Sequence, residues 1–325
     1  MSDAKSISNL LRIDDFVFAE ESYAEQKWLG RTLEYMQNVN ADDLLETVRI
    51  YDTKDRNGNG NVNELLGIAI RDKYLNFWVI FTCMIADKVK QGEFEALASK
   101  IKGAEERSVT VTREDFNAGM IEFYSTGLTK RLFCDCDLKE AAFYPRDRVD
   151  VLKEVISEFL SEYGLDVDTG TTTHAHTHAL EIGCGNGGGT IALHELGIFP
   201  LALDVNRCEI CKGLEEGILE PQKSIVLDCS LLSAFFDKEF DVVFGFMVGK
   251  LTLTPFERAG WEKVLKETAK VLKNNGKVLF TVAEEEEAVI LRDNILQPEF
   301  KGLIRENRRS NGYFDRWLYM GEVRR

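Results

Sequence analysis

From Leu180 to Thr190 the chain reads LEIGCGNGGGT, an apolar run that opens into five glycines before the next apolar segment. Gly183, Gly185 and Gly187 leave the carboxyl end of a predicted strand. There the lack of side chains lets the backbone approach a ligand closely before a helix begins near Gly188. Apolar runs at Ala179 to Ile182, Phe199 to Leu203, Ser224 to Leu227, Phe240 to Phe246 and Lys277 to Val282 alternate with helix-like segments, which predicts parallel strands joined by helical crossovers. Beyond them, Phe300 to Arg308 and Tyr313 to Val323 flank Ser310-Asn311-Gly312, and the Asn-Gly pair predicts a β-hairpin. The expected class is α/β, a doubly wound sheet with a terminal antiparallel hairpin.

The amino-terminal part reads differently. Apolar residues recur at helical spacing in Ala41 to Tyr51, Leu65 to Lys90 and Arg146 to Tyr163, with little period-two alternation. A mainly α-helical domain is therefore expected over residues 1–143 and an α/β domain over residues 144–325, with the polar stretch Gly164 to His178 as a connection. A chain of 325 residues, 44% hydrophobic and 29% charged, is long enough for two ordinary globular domains. The most apolar run, Tyr74 to Ala86, is about 13 residues and falls short of the ~20 that span a bilayer, so it is read as a buried core helix. The first residues show no basic segment followed by an apolar one, and a cytoplasmic location is expected. A net charge of -15 repels a phosphate backbone and argues against nucleic acid. Seven scattered cysteines are expected as reduced thiols.

Gly183, Gly185 and Gly188 also satisfy G-x-G-x-x-G, which admits a dinucleotide-binding oxidoreductase. Glu181 favours another ligand: a carboxylate behind the loop opposes a pyrophosphate and suits an ammonium or sulfonium group. On these residues the chain resembles the class I S-adenosylmethionine-dependent methyltransferases, whose first motif is an acidic residue, any residue, then glycines at alternate positions, as in Glu181-Ile182-Gly183-Cys184-Gly185-Asn186-Gly187. Acidic residues follow at successive strands in LALDVN, IVLDCSLL and FDVVFGFMVGKL. The resemblance covers roughly Arg146 to Arg325 and implies a Rossmann-like sheet and S-adenosylmethionine as cofactor. It implies that the Glu181 to Gly187 loop, with Cys184 and Asn186, lines the cofactor site. Asp204, with Val205 beside it, would take the ribose hydroxyls, Asp228 the adenine amino group and the Cys229 N–H the ring. Gly245 and Phe246 would border the methionine portion. Asp241 opens its strand instead of closing it and is read as structural.

The fourth strand exits through Gly245-Phe246-Met247-Val248, without the Asn-Pro-Pro-Tyr of enzymes that methylate base amines, and no general base is named. The acceptor is a small molecule or a protein. A cofactor-binding sensor without catalysis is a further reading. His174, His176 and His178 alternate but lie before the first strand with no carboxylate or cysteine beside them. Cys134-x-Cys136 and Cys208-x-x-Cys211 would make a zinc set only if the pairs met in space, and helix packing explains the second pair. Asp55 to Leu66 imitates a calcium loop but carries Leu66 at the twelfth position, where a glutamate belongs. No metal is expected. Glu284 to Glu287 suit a helix start. Arg305, Arg308 and Arg309 suit a solvated surface or a grip on an anion, and Tyr144 and Arg146 open the helix expected beside the cofactor.

Overall fold

A computed structural model describes residues 6–53, 64–75, 77–136, 144–165, 177–252, 254–310, 312 and 314–324. The chain divides into two compact units, Met1–Phe133 and Cys134–Arg325.

The first unit is not mainly helical. Its strands are β1 (Phe16–Phe18), β2 (Leu44–Asp52), β3 (Leu65–Asp72), β4 (Trp78–Thr82) and β5 (Glu105–Val111), ordered β1-β4-β3-β2-β5 in one sheet. Strands β2, β3 and β4 are antiparallel, and β1 and β5 add in parallel at the edges. The helices are α1 (Ile7–Leu11), α2 (Gly30–Asn38), α3 (Lys88–Ala98) and α4 (Arg113–Thr129). The stretches Ala41 to Tyr51 and Leu65 to Lys90, expected as helices, therefore hold β2, β3 and β4, and Tyr74 to Ala86 is not a helix. The cause is burial on both faces. Leu66, Ile68 and Ala69 of β3 are all 0% exposed, so its apolar run carries no alternation, and period alone does not separate such a strand from a buried helix. Thr47, Val48, Ile50, Ile68 and Ile70 are β-branched residues that suit a pleated sheet. Phe81, Phe94, Leu29, Met36 and Ile68 meet in one core.

In the second unit α5 (Arg146–Tyr163) begins after Pro145 and stops at Gly164, whose φ of +60° a glycine adopts without cost. Val149, Leu152, Val155, Ile156, Phe159 and Leu160 form its buried stripe. The sheet contains β6 (Ala179–Ile182), β7 (Leu201–Asp204), β8 (Ser224–Val226), β9 (Phe240–Gly245), β10 (Leu272–Val282), β11 (Phe300–Glu306) and β12 (Trp317–Val323), in the order β11-β12-β10-β9-β6-β7-β8. The five strands from β10 to β8 are parallel, and β12 and β11 are antiparallel, as the alternating pattern predicts. The crossovers include α6 (Thr190–Glu195), α7 (Arg207–Glu215), α8 (Leu232–Phe235), α9 (Pro255–Val271) and α10 (Glu285–Ile290). Helix α5 lays its stripe on Ala192, Leu193, Val242, Phe244, Leu279, Leu318 and Met320.

The expected hairpin forms: β11 and β12 pair antiparallel from Phe300↔Val323 to Glu306↔Trp317, joined by a loop in which Asn311 and Tyr313 lie outside the described residues. Asn307 closes that loop through its N–H to the Arg316 carbonyl (2.8 Å) and its side-chain amide to the Asp315 carbonyl (2.9 Å). The expectation of scattered, reduced cysteines needs correction for four of the seven: Cys136 and Cys208 are joined as a disulfide with Cα atoms 5.5 Å apart, and Cys134 and Cys211 lie beside them. No helix among the described residues is long and apolar enough to cross a membrane.

Candidate active site

The chain passes from β6 outward to β7 and β8, then returns to the other side of β6 as β9. Between β6 and β9 the strand order therefore reverses, and in open α/β sheets ligands bind in the crevice at the carboxyl ends there. The glycine loop leaves β6 at this point. Gly183, Gly185 and Gly187 have φ of +65°, +55° and +97°, the left-handed region in which only glycine is unstrained. A Cβ on Gly187 would meet Ile218 at 2.6 Å, whereas one on Gly185 would meet nothing within 4 Å. Gly185 thus presents bare backbone to open space.

Asp204 ends β7 beside that backbone. Its Oδ2 accepts the Gly185 N–H (2.8 Å) and its Oδ1 the Asn206 N–H (2.7 Å). A carboxylate accepts about four hydrogen bonds, so Asp204 holds the loop and keeps capacity for a ligand's hydroxyls. Val205 follows with its side chain 69% exposed, an apolar surface at the same rim. Asp228 Oδ1 accepts the Ser230 N–H (2.8 Å) and caps the turn after β8, with its side chain exposed. Cys184 and Cys229 are buried, and burial pushes the Cys184 thiol well up and that of Cys229 up to about 12, so neither is a nucleophile at neutral pH. The Tyr144 hydroxyl donates to the Asn186 carbonyl (2.8 Å), bracing the loop from the segment before α5.

Glu181 lies beneath the loop and does not line the crevice. It is 1% exposed, its Oε2 accepts the Thr190 hydroxyl (2.6 Å), and a Cβ on Gly189 would come within 2.8 Å of Oε1. Burial raises its carboxyl to about 8; the Thr190 hydrogen bond and the Arg148 charge pull the other way. Arg148 leads to a group that no motif marked. Its Nε donates to Asp315 Oδ2 (2.6 Å), Asp315 Oδ1 accepts the Thr281 hydroxyl, and Thr281 Oγ1 accepts the Met247 N–H (2.8 Å). The Asp315 N–H in turn faces Met247 Sδ (3.1 Å). Asp315 and Thr281 are buried, so this chain fixes Met247, at φ +58°, where β9 leaves the sheet. A lone threonine in VLFTV was its only trace in the sequence.

Residues 180–280 match the model of the family described as the methyltransferase domain. The match lies wholly within the carboxy-terminal unit, from β6 into β10. No curated protein sequence matches the chain. Among solved structures, the domain is similar to the PH0226 protein from Pyrococcus horikoshii OT3, at 19% identity over 55% of this chain and 91% of that one, with a TM-score of 0.41. It is also similar to the N-methyltransferase NodS from Bradyrhizobium japonicum WM9 (16%, 55% and 98%, TM-score 0.40). A third is the magnesium protoporphyrin IX methyltransferase from Synechocystis PCC 6803 with bound SAM (15%, 63% and 96%, TM-score 0.39).

The remaining candidates of the methyltransferase domain fall as follows. Gly245 is closely packed, since a Cβ there would meet Val248 at 2.7 Å, and the buried Phe246 stacks on Phe244. Asp241 accepts the His178 N–H (2.9 Å) and pairs with Lys273 (2.8 Å) at the opposite end of the sheet, in keeping with a structural role. Glu287 accepts the N–H groups of Leu251 (2.9 Å) and Glu284 (3.3 Å), which makes the acidic run a helix cap. Arg305 pairs with Glu162, Arg308 with Glu306, and Arg309 with Glu154 and Glu158, so acidic residues of the protein itself occupy all three. Arg146 is taken by Asp150 and Glu195. His174, His176 and most of the calcium-like loop, residues 55–63, lie outside the described residues, and Leu66 belongs to β3.

Proposed function

We propose that the crevice between β6 and β9 holds S-adenosylmethionine and presents its methyl group to a small-molecule or protein acceptor. The observation that carries this is the bare backbone of Gly185 against an Asp204 carboxylate with acceptor capacity to spare, at the one reversal of strand order in the parallel sheet. Asp204 takes the ribose hydroxyls with Val205 beside it, Asp228 the exocyclic amine of adenine, and the Cys229 N–H the ring. Gly183 to Gly187 and Gly245-Phe246 flank the methionine portion. Glu181 acts from below the loop, through its grip on Thr190.

When bound, the cofactor supplies a methyl group made electrophilic by a sulfonium. The protein's part is then to hold an acceptor in line and exclude water. Arg148, Asp315 and Thr281 serve this by fixing Met247 at the exit of β9. An acceptor that arrives as a neutral amine or a thiol of low pKa needs no general base. The net charge of -15 favours acceptors other than nucleic acid.

The test is incubation with cofactor labelled in the methyl group and a cell extract, followed by separation of macromolecular and small-molecule fractions. Label in either fraction is expected and tells which acceptor class applies. Label in neither, with cofactor binding intact by calorimetry, would leave a sensor without catalysis. Asp204→Asn is expected to weaken binding by about 1–3 kcal/mol, the scale of charge-assisted hydrogen bonds, and unchanged affinity would remove Asp204 from the site.

A further inference from the structure

The second unit gathers four cysteines far apart in sequence. Cys134 and Cys136 lie in the segment that opens the unit, and Cys208 and Cys211 lie in the first turns of α7. The sulfurs of Cys134, Cys136 and Cys211 are all within 4.8 Å of one another, those of Cys134 and Cys211 are 2.9 Å apart, and Cys208 is bonded to Cys136. Four sulfurs thus share one spot, and Cys134, Cys136 and Cys211 are buried. A disulfide alone accounts for two of them.

We propose that in the reduced protein Cys134, Cys136, Cys208 and Cys211 form a tetrathiolate zinc site. With Zn–S near 2.3 Å, a tetrahedral set has sulfurs about 3.8 Å apart, a spacing the cluster reaches by small side-chain rotations. Four protein ligands leave no open position, so the site is structural and not catalytic. Soft thiolates select zinc over hard cations, and the amino-terminal end of α7 favours their negative charge. The Cys136–Cys208 disulfide is the oxidised, metal-free counterpart. A dithiol reductant supplies two electrons and two protons, the S–S bond becomes two thiols, and the reductant becomes a disulfide. Zinc then displaces the protons of the four thiols.

The position gives the metal a task. Asn206 caps α7 and follows Asp204 by two residues, so a metal held by Cys208 and Cys211 would fix the helix that begins at the rim of the candidate site.

The chain should be purified without oxygen or chelator, with a phosphine reductant, and its metal measured by mass spectrometry. About one zinc per chain is expected in the wild type and in Cys83→Ser, which alters a thiol outside the cluster, falling below about a tenth in Cys134→Ser and Cys211→Ser. Cobalt exchanged into the wild type should give thiolate charge-transfer bands and the intense visible bands of a tetrahedral site, a readout that needs no variant to fold. Reduced wild-type chain that takes up less than about a tenth of an equivalent of added zinc would overturn the proposal. So would full zinc occupancy in both serine variants, or a cobalt spectrum without thiolate bands.

Discussion

The two sheets of this protein use polar groups in opposite ways. In the first unit they are spent inside. Glu20 accepts the Thr32 N–H (2.8 Å), Gln26 donates to the Tyr124 hydroxyl (2.7 Å), and that hydroxyl donates to the Glu20 carbonyl (2.8 Å), all in buried positions. In the second unit the carboxylates at strand ends are only half used: Asp204 and Asp228 hold the backbone and still face solvent. Buried hydrogen bonds rigidify a fold, whereas acceptor capacity left at the mouth of a crevice serves a ligand. Substitutions should therefore act on stability in the first unit and on affinity in the second.

The largest expected effect comes from Phe81→Ala in β4. Phe81 is 0% exposed in the core of the first unit, and its truncation should cost about 3–5 kcal/mol of stability by denaturant unfolding. Cofactor affinity of the folded variant should match the wild type. A parallel loss of affinity would break the division between the units.

Glu181 sharpens it. Its carboxyl rises from an ordinary value of 4.5 to about 8 in the folded chain. The folded state thus binds the proton more tightly than the unfolded state. The stability this gives is complete below about 4.5 and is lost as pH rises through about 8, at roughly 1.4 kcal/mol per pH unit within that window. Glu181→Gln keeps an acceptor for Thr190 and cannot ionise. The gap in melting temperature between variant and wild type should therefore widen in the variant's favour from pH 6 to pH 8. A gap that stays constant would mean that Glu181 is ionised throughout.

The smallest effect belongs to Arg309→Ala. Its pairs with Glu154 and Glu158 are exposed, so the loss should be about 0.2–1 kcal/mol of stability, with methyl transfer unchanged. A fall in transfer rate without a change in stability would restore Arg309 as an anion grip.

The same contrast explains what was legible in the sequence. In the second unit glycines and helix caps punctuate short strands, and α5 begins and ends where the spacing of apolar residues places it, at Arg146 and Tyr163. In the first unit a two-sided strand such as β3 mimics a buried helix, because no face of it is polar. The glycine loop, Asp204 and Asp228 stood out because local spacing marks them. Asp315 and the cysteine cluster did not, since each joins segments that only the completed fold brings together.

The ion pair of Arg148 and Asp315 spans 167 residues of chain. At ribosomal speeds of about 5–20 residues per second, Arg148 emerges roughly 10–30 s before its counter-ion exists. During that interval the nascent domain has its loop and its first strands but lacks the last brace of the β9 exit. Competence to handle the cofactor should thus arrive late in synthesis and all at once.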